Sequence, residues 1–219
     1  MLNYFKKKPK PIIHNEIIDY IQYHHILKIT LIGDCGVGKT SIISKFTDTI
    51  FSKLYFPTIG VDFTQKVIKV NNTGVKIQLW DTSGQELFKA IRINYYKGIC
   101  FILLVFDLSD FMSFNNLIYW LDEIKKHCEN YYIFLIGTKK DIDRDVNITN
   151  DAINHFVKEN NIVEYYEISS KKEQVDTLFE NIIKKILIIK ENNEKILKDN
   201  NKIILKNNIP IKQNKCCFI

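Results

Sequence analysis

The chain has 219 residues, 46% of them hydrophobic, and a formal net charge of +6. This length suffices for one buried core with tails. The five cysteines, an odd number without a C-x-x-C pair, exclude a disulfide framework or a zinc knuckle and favour a reducing compartment, and the longest apolar run, 99–106, is too short to cross a bilayer.

The positive charge lies in the tails. Residues 1–15 carry four lysines and no acid, and residues 190–219 carry seven lysines against three acids, which leaves 20 bases against 22 acids between them. The central part of the chain therefore lacks the excess of positive charge that nucleic-acid binding requires, and we expect no nucleic-acid partner. Basic tails on a near-neutral body favour an anionic membrane surface, with a solvated, disordered tail as the alternative.

The first predicted strand, 26–32, leads into a phosphate-binding loop. Residues 33–41 read GDCGVGKTS and match G-x-x-x-x-G-K-[ST] at each fixed position, and a helix is predicted to follow over 39–47. A chance glycine-rich turn is the alternative. Glycines let successive amides face a phosphate, and a lysine charge and a threonine hydroxyl serve the phosphate and Mg²⁺. The predicted ligand-binding residues here are Asp34, Cys35, Gly36, Val37, Gly38, Lys39, Thr40 and Ser41.

Beyond the loop, apolar runs alternate with amphipathic stretches up to about residue 187, which predicts an α/β fold. The run NNTG at 71–74 is typical of a hairpin, so the strands it joins should form the antiparallel pair of an otherwise parallel, six-stranded sheet. The further predicted strands are 62–70, 75–81, 99–106, 131–137 and 162–168, and the further predicted helices are 113–127, 149–159 and 173–189.

Helix details follow from the same patterns. Ser113 and Thr149 are predicted helix starts. The last thirty residues could continue a frayed helix to about residue 205, although their polarity favours a mobile linker. The side chains predicted to form the buried stripe of helix 113–127 are Phe114, Leu117, Ile118 and Leu121. We expect three parts: a variable basic extension over 1–25, one domain over 26–189 and a tail over 190–219.

Four more motifs follow the loop, and the first two predict phosphate and metal chemistry. Thr58, in PTIGVDF, can give Mg²⁺ a second hydroxyl. In WDTSGQE, Asp81 can hold the metal through water, the Gly84 amide can sense the γ-phosphate and Gln85 can orient a nucleophilic water. The motifs TKKD at 138–141 and SSK at 169–171 stand at the carboxyl ends of strands, where such sheets bind ligands.

With these motifs the chain resembles the Rab family of the Ras superfamily of small GTPases over residues 26–219. The matching runs include IGVDF at 59–63, KIQLW at 76–80, YYKG at 95–98 and a terminus ending CCFI. The resemblance implies a small-GTPase fold of the phosphate-loop class with about five helices, and GTP or GDP as ligand. It also implies base contacts from Phe51, Thr138, Lys139, Asp141, Ser169, Ser170 and Lys171, with Asp141 reading guanine N1 and N2.

Several residues depart from the family pattern. Thr138 replaces the usual Asn, and losing one neutral hydrogen bond would weaken nucleotide affinity by up to about tenfold. Ser83 and Ser170 are small changes, whereas Leu87 stands where an Arg is usual and could alter regulators. Cys35 could crowd an inserted regulator residue, with an inert small residue as the alternative.

The resemblance further implies slow hydrolysis by in-line attack of water, with Lys39 and Gln85 as the catalytic residues. Neither Arg92 nor Arg144 lies where a built-in arginine finger is expected, so a GTPase-activating protein should supply one. The other implied partners are an exchange factor, a GDP-dissociation inhibitor or escort protein, geranylgeranyl transferase and GTP-state effectors, on a monomer. The implied effector patch is Phe63, Trp80 and Tyr95, with ordinary sheet-face packing as the alternative.

The terminal Cys216 and Cys217 resemble a dual geranylgeranylation site, which would place the protein on the cytoplasmic face of endomembranes, cycling with the cytosol. A C-a-a-X signal on Cys216 alone, or two free thiols, are the alternatives. The predicted function is a membrane-cycling switch in vesicle traffic. Its rivals are a non-cycling interaction platform and an ATP-dependent enzyme, the latter disfavoured because the sequence offers no lid-like or second substrate region.

Overall fold

A computed structural model of the chain describes residues 23–47, 58, 61–84, 89–96 and 98–207, with the side chains of residues 91 and 194–207 excepted. Several predictions lie outside these residues. They concern the extension before residue 23, Phe51, Gln85, Leu87 and the two cysteines of the terminus, Cys216 and Cys217.

Strands and helices alternate along most of the chain, as predicted. The strands are β1 (His25–Ile32), β2 (Val61–Val70), β3 (Thr73–Thr82), β4 (Phe101–Asp107), β5 (Tyr132–Thr138) and β6 (Glu164–Glu167). The helices are α1 (Lys39–Phe46), α2 (Lys89–Asn94), α3 (Phe111–Asn115), α4 (Leu117–His127), α5 (Asn150–Glu159) and α6 (Val175–Asn207).

The strands form one six-stranded sheet in the order β2-β3-β1-β4-β5-β6. Only β2 and β3 run antiparallel among these strands, in a register from Val61 opposite Thr82 to Val70 opposite Thr73. Asn71 and Asn72 turn the hairpin with φ angles of 48° and 64°, the left-handed values that a two-residue turn of this kind needs. The predicted mostly parallel sheet with one antiparallel strand is confirmed.

The core lies on both faces of the sheet, because successive strand residues point to opposite sides. Along β4, Leu103 and Val105 join one apolar cluster, and Leu104 and Phe106 join the other. Helices α1 and α6 cover the first face, where the rings of Phe46 and Phe179 stack with centroids 3.8 Å apart. Helices α4 and α5 cover the second. This three-layer arrangement leaves the carboxyl ends of the parallel strands at one edge.

The helix predicted over 113–127 is two helices, α3 and α4. The first helix begins at Phe111, two residues before Ser113, because Asp110 is its N-cap and the Asp110 carboxylate accepts a hydrogen bond from the Met112 amide at 3.0 Å. Ile118 is 52% exposed, which corrects its prediction as a core residue, and Trp120 is buried. Helix α2 was not predicted. The helix start at Thr149 is confirmed, since its hydroxyl caps α5.

Helix α6 extends to Asn207, well past the predicted end at 189. The mobile-linker alternative is therefore wrong for residues 190–207, and the helical alternative holds. Part of the extension is anchored on the sheet, where Asn193 Nδ2 donates a hydrogen bond to the Tyr132 hydroxyl at 2.8 Å. Within the described part of the chain, no helix combines the length and the apolar content that a bilayer crossing requires. A boundary near 189 stays a prediction.

Candidate functional site

The phosphate loop joins the carboxyl end of β1 to the start of α1. Gly33 has a φ of 149°, and a Cβ there would lie 2.1 Å from the Val105 carbonyl oxygen, so no larger residue fits against β4. Gly38 is the N-cap of α1 in a left-handed conformation, without a side-chain cap. The first amides of α1 are therefore available to an anion at the loop.

Lys39 lies inside this loop and is 5% exposed. Its Nζ donates hydrogen bonds to the carbonyl oxygens of Gly33, at 2.8 Å, and Asp34, at 2.6 Å. Burial lowers the pKa of Lys39 to about 8, with the Asp81 carboxylate acting in the opposite direction. The loop thus holds a desolvated ammonium group at the place where the sequence predicts a phosphate.

The three residues predicted to serve Mg²⁺ converge from three separate elements. Thr40 Oγ1 donates to Asp81 Oδ2 at 2.5 Å and lies 2.9 Å from Thr58 Oγ1. The Thr58 hydroxyl lies 3.3 Å from the same carboxylate oxygen. Thr40 lies in the first turn of α1, Thr58 precedes β2 and Asp81 lies near the end of β3. The structure therefore brings the three side chains together, and their role as metal ligands stays a prediction.

The chemistry of this cluster fits a divalent cation. Asp81 Oδ1 is buried and has no hydrogen-bond partner among the residues that the structure describes, although a buried carboxylate oxygen without a donor is costly. Burial also raises the pKa of Asp81, although the hydrogen bond from Thr40 and the charge of Lys39 act in the opposite direction. Hydroxyl and carboxylate oxygens are ligands that Mg²⁺ accepts. These residues could hold the ion, and the ion would give Asp81 Oδ1 a partner.

Gly84 lies directly against the phosphate loop. A Cβ at this position would lie 2.3 Å from the carbonyl carbon of Asp34 and 2.3 Å from the amide nitrogen of Cys35. Because these loop atoms are backbone atoms and cannot turn aside as a side chain could, only glycine allows residue 84 to lie this close to the loop. The residue predicted to sense the terminal phosphate therefore touches the predicted phosphate cradle.

The predicted base-binding residues gather at the carboxyl ends of β5 and β6. Ser169 Oγ donates to Asp141 Oδ1 at 2.5 Å, and this hydrogen bond lowers the pKa of Asp141. Asp141 is therefore an ionised acceptor that is already oriented. Lys139 adopts a left-handed φ of 57°, and its Nζ lies 2.5 Å from Asp107 Oδ2.

The Thr138 side chain is directed into the protein, and its predicted place in the base site stays a prediction. Its side chain is buried, and Oγ1 lies 2.5 Å from the Val37 carbonyl oxygen and 2.9 Å from that of Phe106. One hydroxyl proton serves these two acceptors. Its hydroxyl is therefore engaged within the protein, where it ties the phosphate loop to β4 and β5.

The Asp34 side chain has partners outside the phosphate loop, and the predicted role of Asp34 in ligand binding stays a prediction. Its carboxylate accepts hydrogen bonds from Asn116 Nδ2, at 2.7 Å, and from Trp120 Nε1, at 2.6 Å. The side chain is thus directed to α4, and any contribution to phosphate binding falls to its backbone. The remaining predicted residues are distributed as follows: Cys35 and Gly36 exposed, Val37 buried, Ser41 half-buried in α1, Ser170 half-buried after β6, and Lys171 exposed.

The predicted effector patch is assembled on the sheet. The ring centroids of Phe63 and Trp80 are 4.8 Å apart, and those of Trp80 and Tyr95 are 5.3 Å apart. Phe63 lies opposite Trp80 in the β2–β3 register and is 43% exposed. The three aromatic side chains therefore form one partly exposed surface, as expected from the sequence, and their role stays a prediction.

Sequence reasoning missed five residues around the site: Arg92, Asp107, Asn116, Trp120 and Glu123. Asp107 carried a signal, because it is an acidic residue that closes an apolar strand at the ligand edge of the sheet. The other four make contacts between distant segments, such as Asp34 with Trp120, and no local pattern announces such pairs.

Known proteins match this arrangement of motifs. The sequence profile described as "Ras family" matches residues 28–188, from β1 into α6. The Ras-related protein Rab-1 of Theileria parva is 38% identical over 168 residues, which cover 75% of this chain and 76% of that protein. The Ras-related protein Rab-13 of Bos taurus is 36% identical over 180 residues, 78% of this chain and 88% of that protein. The Ras-related protein RABE1d of Arabidopsis thaliana is 36% identical over 166 residues, with 75% and 77% covered.

Proposed function

Because the chain belongs to the Ras family, as a Rab-type small GTPase, we propose that it binds GTP and GDP with Mg²⁺ and slowly hydrolyses GTP. In this proposal it is a membrane-anchored switch that recruits effectors in intracellular vesicle traffic. The observation that carries the proposal is the convergence of Thr40, Thr58 and Asp81 beside the buried Lys39.

The chain's own residues divide the work on the phosphates. Lys39 exchanges its carbonyl partners in the loop for phosphate oxygens and counters their charge. Thr40, Thr58 and Asp81 would hold Mg²⁺, which would neutralise negative charge on the phosphates. Gln85 orients the water whose oxygen attacks the γ-phosphorus. The bond that breaks joins the γ-phosphorus to the oxygen shared with the β-phosphate. The Gly84 amide donates to the γ-phosphate and releases it after hydrolysis.

Base selection rests on Asp141. A carboxylate accepts the N1 and N2 hydrogens of guanine, and adenine offers no equivalent pair, so the wrong base would leave polar groups unpaired. The hydrogen bond from Ser169 supports this role, because it keeps the carboxylate ionised and in place. The Ser170 amide, Lys139 and Phe51 complete the base site in this proposal.

The two arginines support dependence on a GTPase-activating protein. Arg92 is fully buried, and Arg144 pairs with Glu167 and donates to Asn150 at 2.6 Å. Both guanidinium groups are therefore engaged by other groups of the protein, and an arginine from a partner is needed to speed hydrolysis. An exchange factor and a GDP-dissociation inhibitor or escort protein would complete the cycle.

The membrane anchor in this proposal is Cys216 and Cys217, modified by geranylgeranyl transferase. Two lipid chains with basic residues give stable attachment, whereas one chain alone binds marginally. Mass spectrometry of the protein from its native host tests this part. Two prenyl groups are expected, and free thiols on both cysteines would remove the anchor.

The experiment that tests the switch is single-turnover hydrolysis of preloaded GTP by the wild-type protein and by Gln85→Leu. We expect slow hydrolysis by the wild type and a further loss in the variant, because the attacking water is no longer oriented. Thr138, whose hydroxyl is engaged within the protein, favours a second candidate: a platform that holds nucleotide weakly or without cycling. Equal and negligible rates for both proteins would favour that candidate.

A further inference from the structure

A buried ion pair joins α2 to α4 beside the phosphate loop. Arg92 is 0% exposed, and its Nε donates to Glu123 Oε1 at 2.8 Å while its Nη2 donates to Glu123 Oε2 at 3.1 Å. The guanidinium and carboxylate thus meet with two parallel hydrogen bonds, which fixes their relative orientation as well as their distance.

The surroundings hold this pair in one geometry. The Tyr96 hydroxyl donates to Glu123 Oε1 at 2.6 Å, and Arg92 Cζ lies 4.6 Å from the centroid of the Trp120 ring. Burial acts to raise the pKa of Glu123, but the hydrogen bonds from Arg92 and Tyr96 outweigh it, and the net shift is downward. Both partners are therefore charged and fixed.

The same guanidinium reaches the end of β3. Arg92 Nη1 donates a hydrogen bond to the Ser83 carbonyl oxygen at 2.9 Å. That carbonyl belongs to the same planar peptide unit as the amide of Gly84, and in a trans peptide the C=O and N–H point in opposite directions. Fixing the Ser83 oxygen therefore fixes the direction of the Gly84 N–H, which points away from Arg92.

The pair is also connected to the phosphate loop. The Trp120 ring that stacks on Arg92 donates through Nε1 to the Asp34 carboxylate at 2.6 Å. Gly84 itself touches the backbone of Asp34 and Cys35. The loop and the Ser83–Gly84 peptide are thus held by one connected group of side chains.

We propose that Arg92 is a positioning residue for the terminal phosphate: it orients the Gly84 amide by holding the Ser83 carbonyl. The inference rests on the proposed function, in which that amide donates to the γ-phosphate. GDP has no γ-phosphate. Replacing Arg92 should therefore lower the affinity for GTP and the rate of hydrolysis, and should change the affinity for GDP little. A merely structural ion pair would affect both nucleotides alike.

The variant that tests this is Arg92→Met combined with Glu123→Gln. It removes both buried charges together, which avoids leaving one uncompensated, and the amide keeps an acceptor for Tyr96. The matched control is Lys184→Met with Glu180→Gln, which removes an exposed ion pair on α6. Arg92→Lys is a second variant, which keeps the positive charge but loses the planar guanidinium that donates several hydrogen bonds at once.

Calorimetry would give the Kd of each protein for GDP and for a non-hydrolysable GTP analogue in magnesium buffer, and preloaded GTP would give the single-turnover rate. We expect the double variant to bind GDP within about twofold of the wild type, to bind the analogue about five- to tenfold more weakly, and to hydrolyse GTP at least about tenfold more slowly. Arg92→Lys should change the analogue affinity and the hydrolysis rate in the same direction but by a smaller factor. The α6 control should have the affinities and the rate of the wild type.

One result would overturn the inference: a ratio of the Kd for the analogue to the Kd for GDP that equals the wild-type ratio, whether both affinities are unchanged or both fall equally. If the double variant does not fold, the same comparison on Arg92→Lys decides. A wild-type protein that binds neither nucleotide would instead contradict the proposed function, and this inference would fall with it.

Discussion

The two ends of the site differ in how far the protein satisfies its own polar groups. At the phosphate end, Lys39 is buried with a lowered pKa, and Asp81 Oδ1 is buried without a hydrogen-bond partner in the described parts of the chain. At the base end, Asp141 is held by Ser169, and Thr138 is bonded to backbone oxygens on two elements. The first end gains most from a ligand, since desolvated charges are costly until they are paired. We therefore expect nucleotide affinity to depend more on the phosphate end than on the base end.

The largest effect should come from Lys39→Met. Removing the buried ammonium deletes charge-assisted hydrogen bonds to the phosphates, so we expect GDP to bind about a hundredfold more weakly by calorimetry. Lys45→Met, in the last turn of the same helix, is the control and should leave the affinity unchanged. Similar Kd values for the two variants would show that the loop does not hold the phosphates.

The next effect should come from Asp81→Asn. The neutral amide is a weaker partner for Mg²⁺, so we expect GDP affinity in magnesium buffer to fall about tenfold or more. The control is Asp62→Asn, since Asp62 is an exposed acid directly opposite Asp81 in the β2–β3 register. With a chelator present, wild type and Asp81→Asn should bind GDP alike. A difference that persists without the metal would contradict this role for Asp81.

A smaller effect is expected at the base end. Thr138→Val keeps the shape of the side chain and removes the hydroxyl that ties the phosphate loop to β4. Losing one neutral hydrogen bond should weaken GDP binding by up to about tenfold. Thr177→Val, on the exposed side of α6, is the control. If Thr138→Val weakens binding as much as Lys39→Met, the contrast between the two ends is wrong.

The pH dependence should be the smallest effect. Without ligand the pKa of Lys39 is about 8, below the ordinary value of 10.5, so the folded protein loses this proton earlier than the unfolded chain. The free energy of unfolding of the ligand-free protein should gain from this group as the pH rises through that window, because the unfolded chain binds more protons there.

Phosphate binding should restore the proton, so GDP affinity should fall by about fourfold between pH 7 and 8.5. Calorimetry in buffers of different ionisation enthalpy should detect net proton uptake near pH 8. Proton release, or an affinity that rises over this range, would contradict the assignment.

Local patterns were sufficient for the elements that short segments specify. The phosphate loop, the hairpin at Asn71 and Asn72, and the cap at Thr149 depend on neighbouring residues, and each lies where the sequence predicts it. The convergence of Thr58 with Asp81 could be predicted as well, because motif spacing and the carboxyl edge of the sheet place both residues near α1.

Tertiary contacts decided the rest. The periodicity of α4 did not distinguish Ile118 from Trp120, and Trp120 is the buried one because its indole reaches Asp34 across the fold. The acceptors of the Thr138 hydroxyl lie on other elements, so no local pattern could show that this hydroxyl is engaged within the protein. Helix α6 ends at Asn207 and not at the predicted residue 189, because the polar residues in its second half conceal the apolar residues that continue the helical pattern.

The central claim is that one pocket holds a guanine nucleotide with Mg²⁺ between Lys39 and Asp141. Calorimetry of the folded full-length protein with GDP and with ADP, in matched magnesium buffers, tests it most directly. We predict one site per chain for GDP, weakened by chelation of the metal, and no measurable uptake of ADP. Failure to bind GDP, or equal affinity for both nucleotides, would contradict the claim.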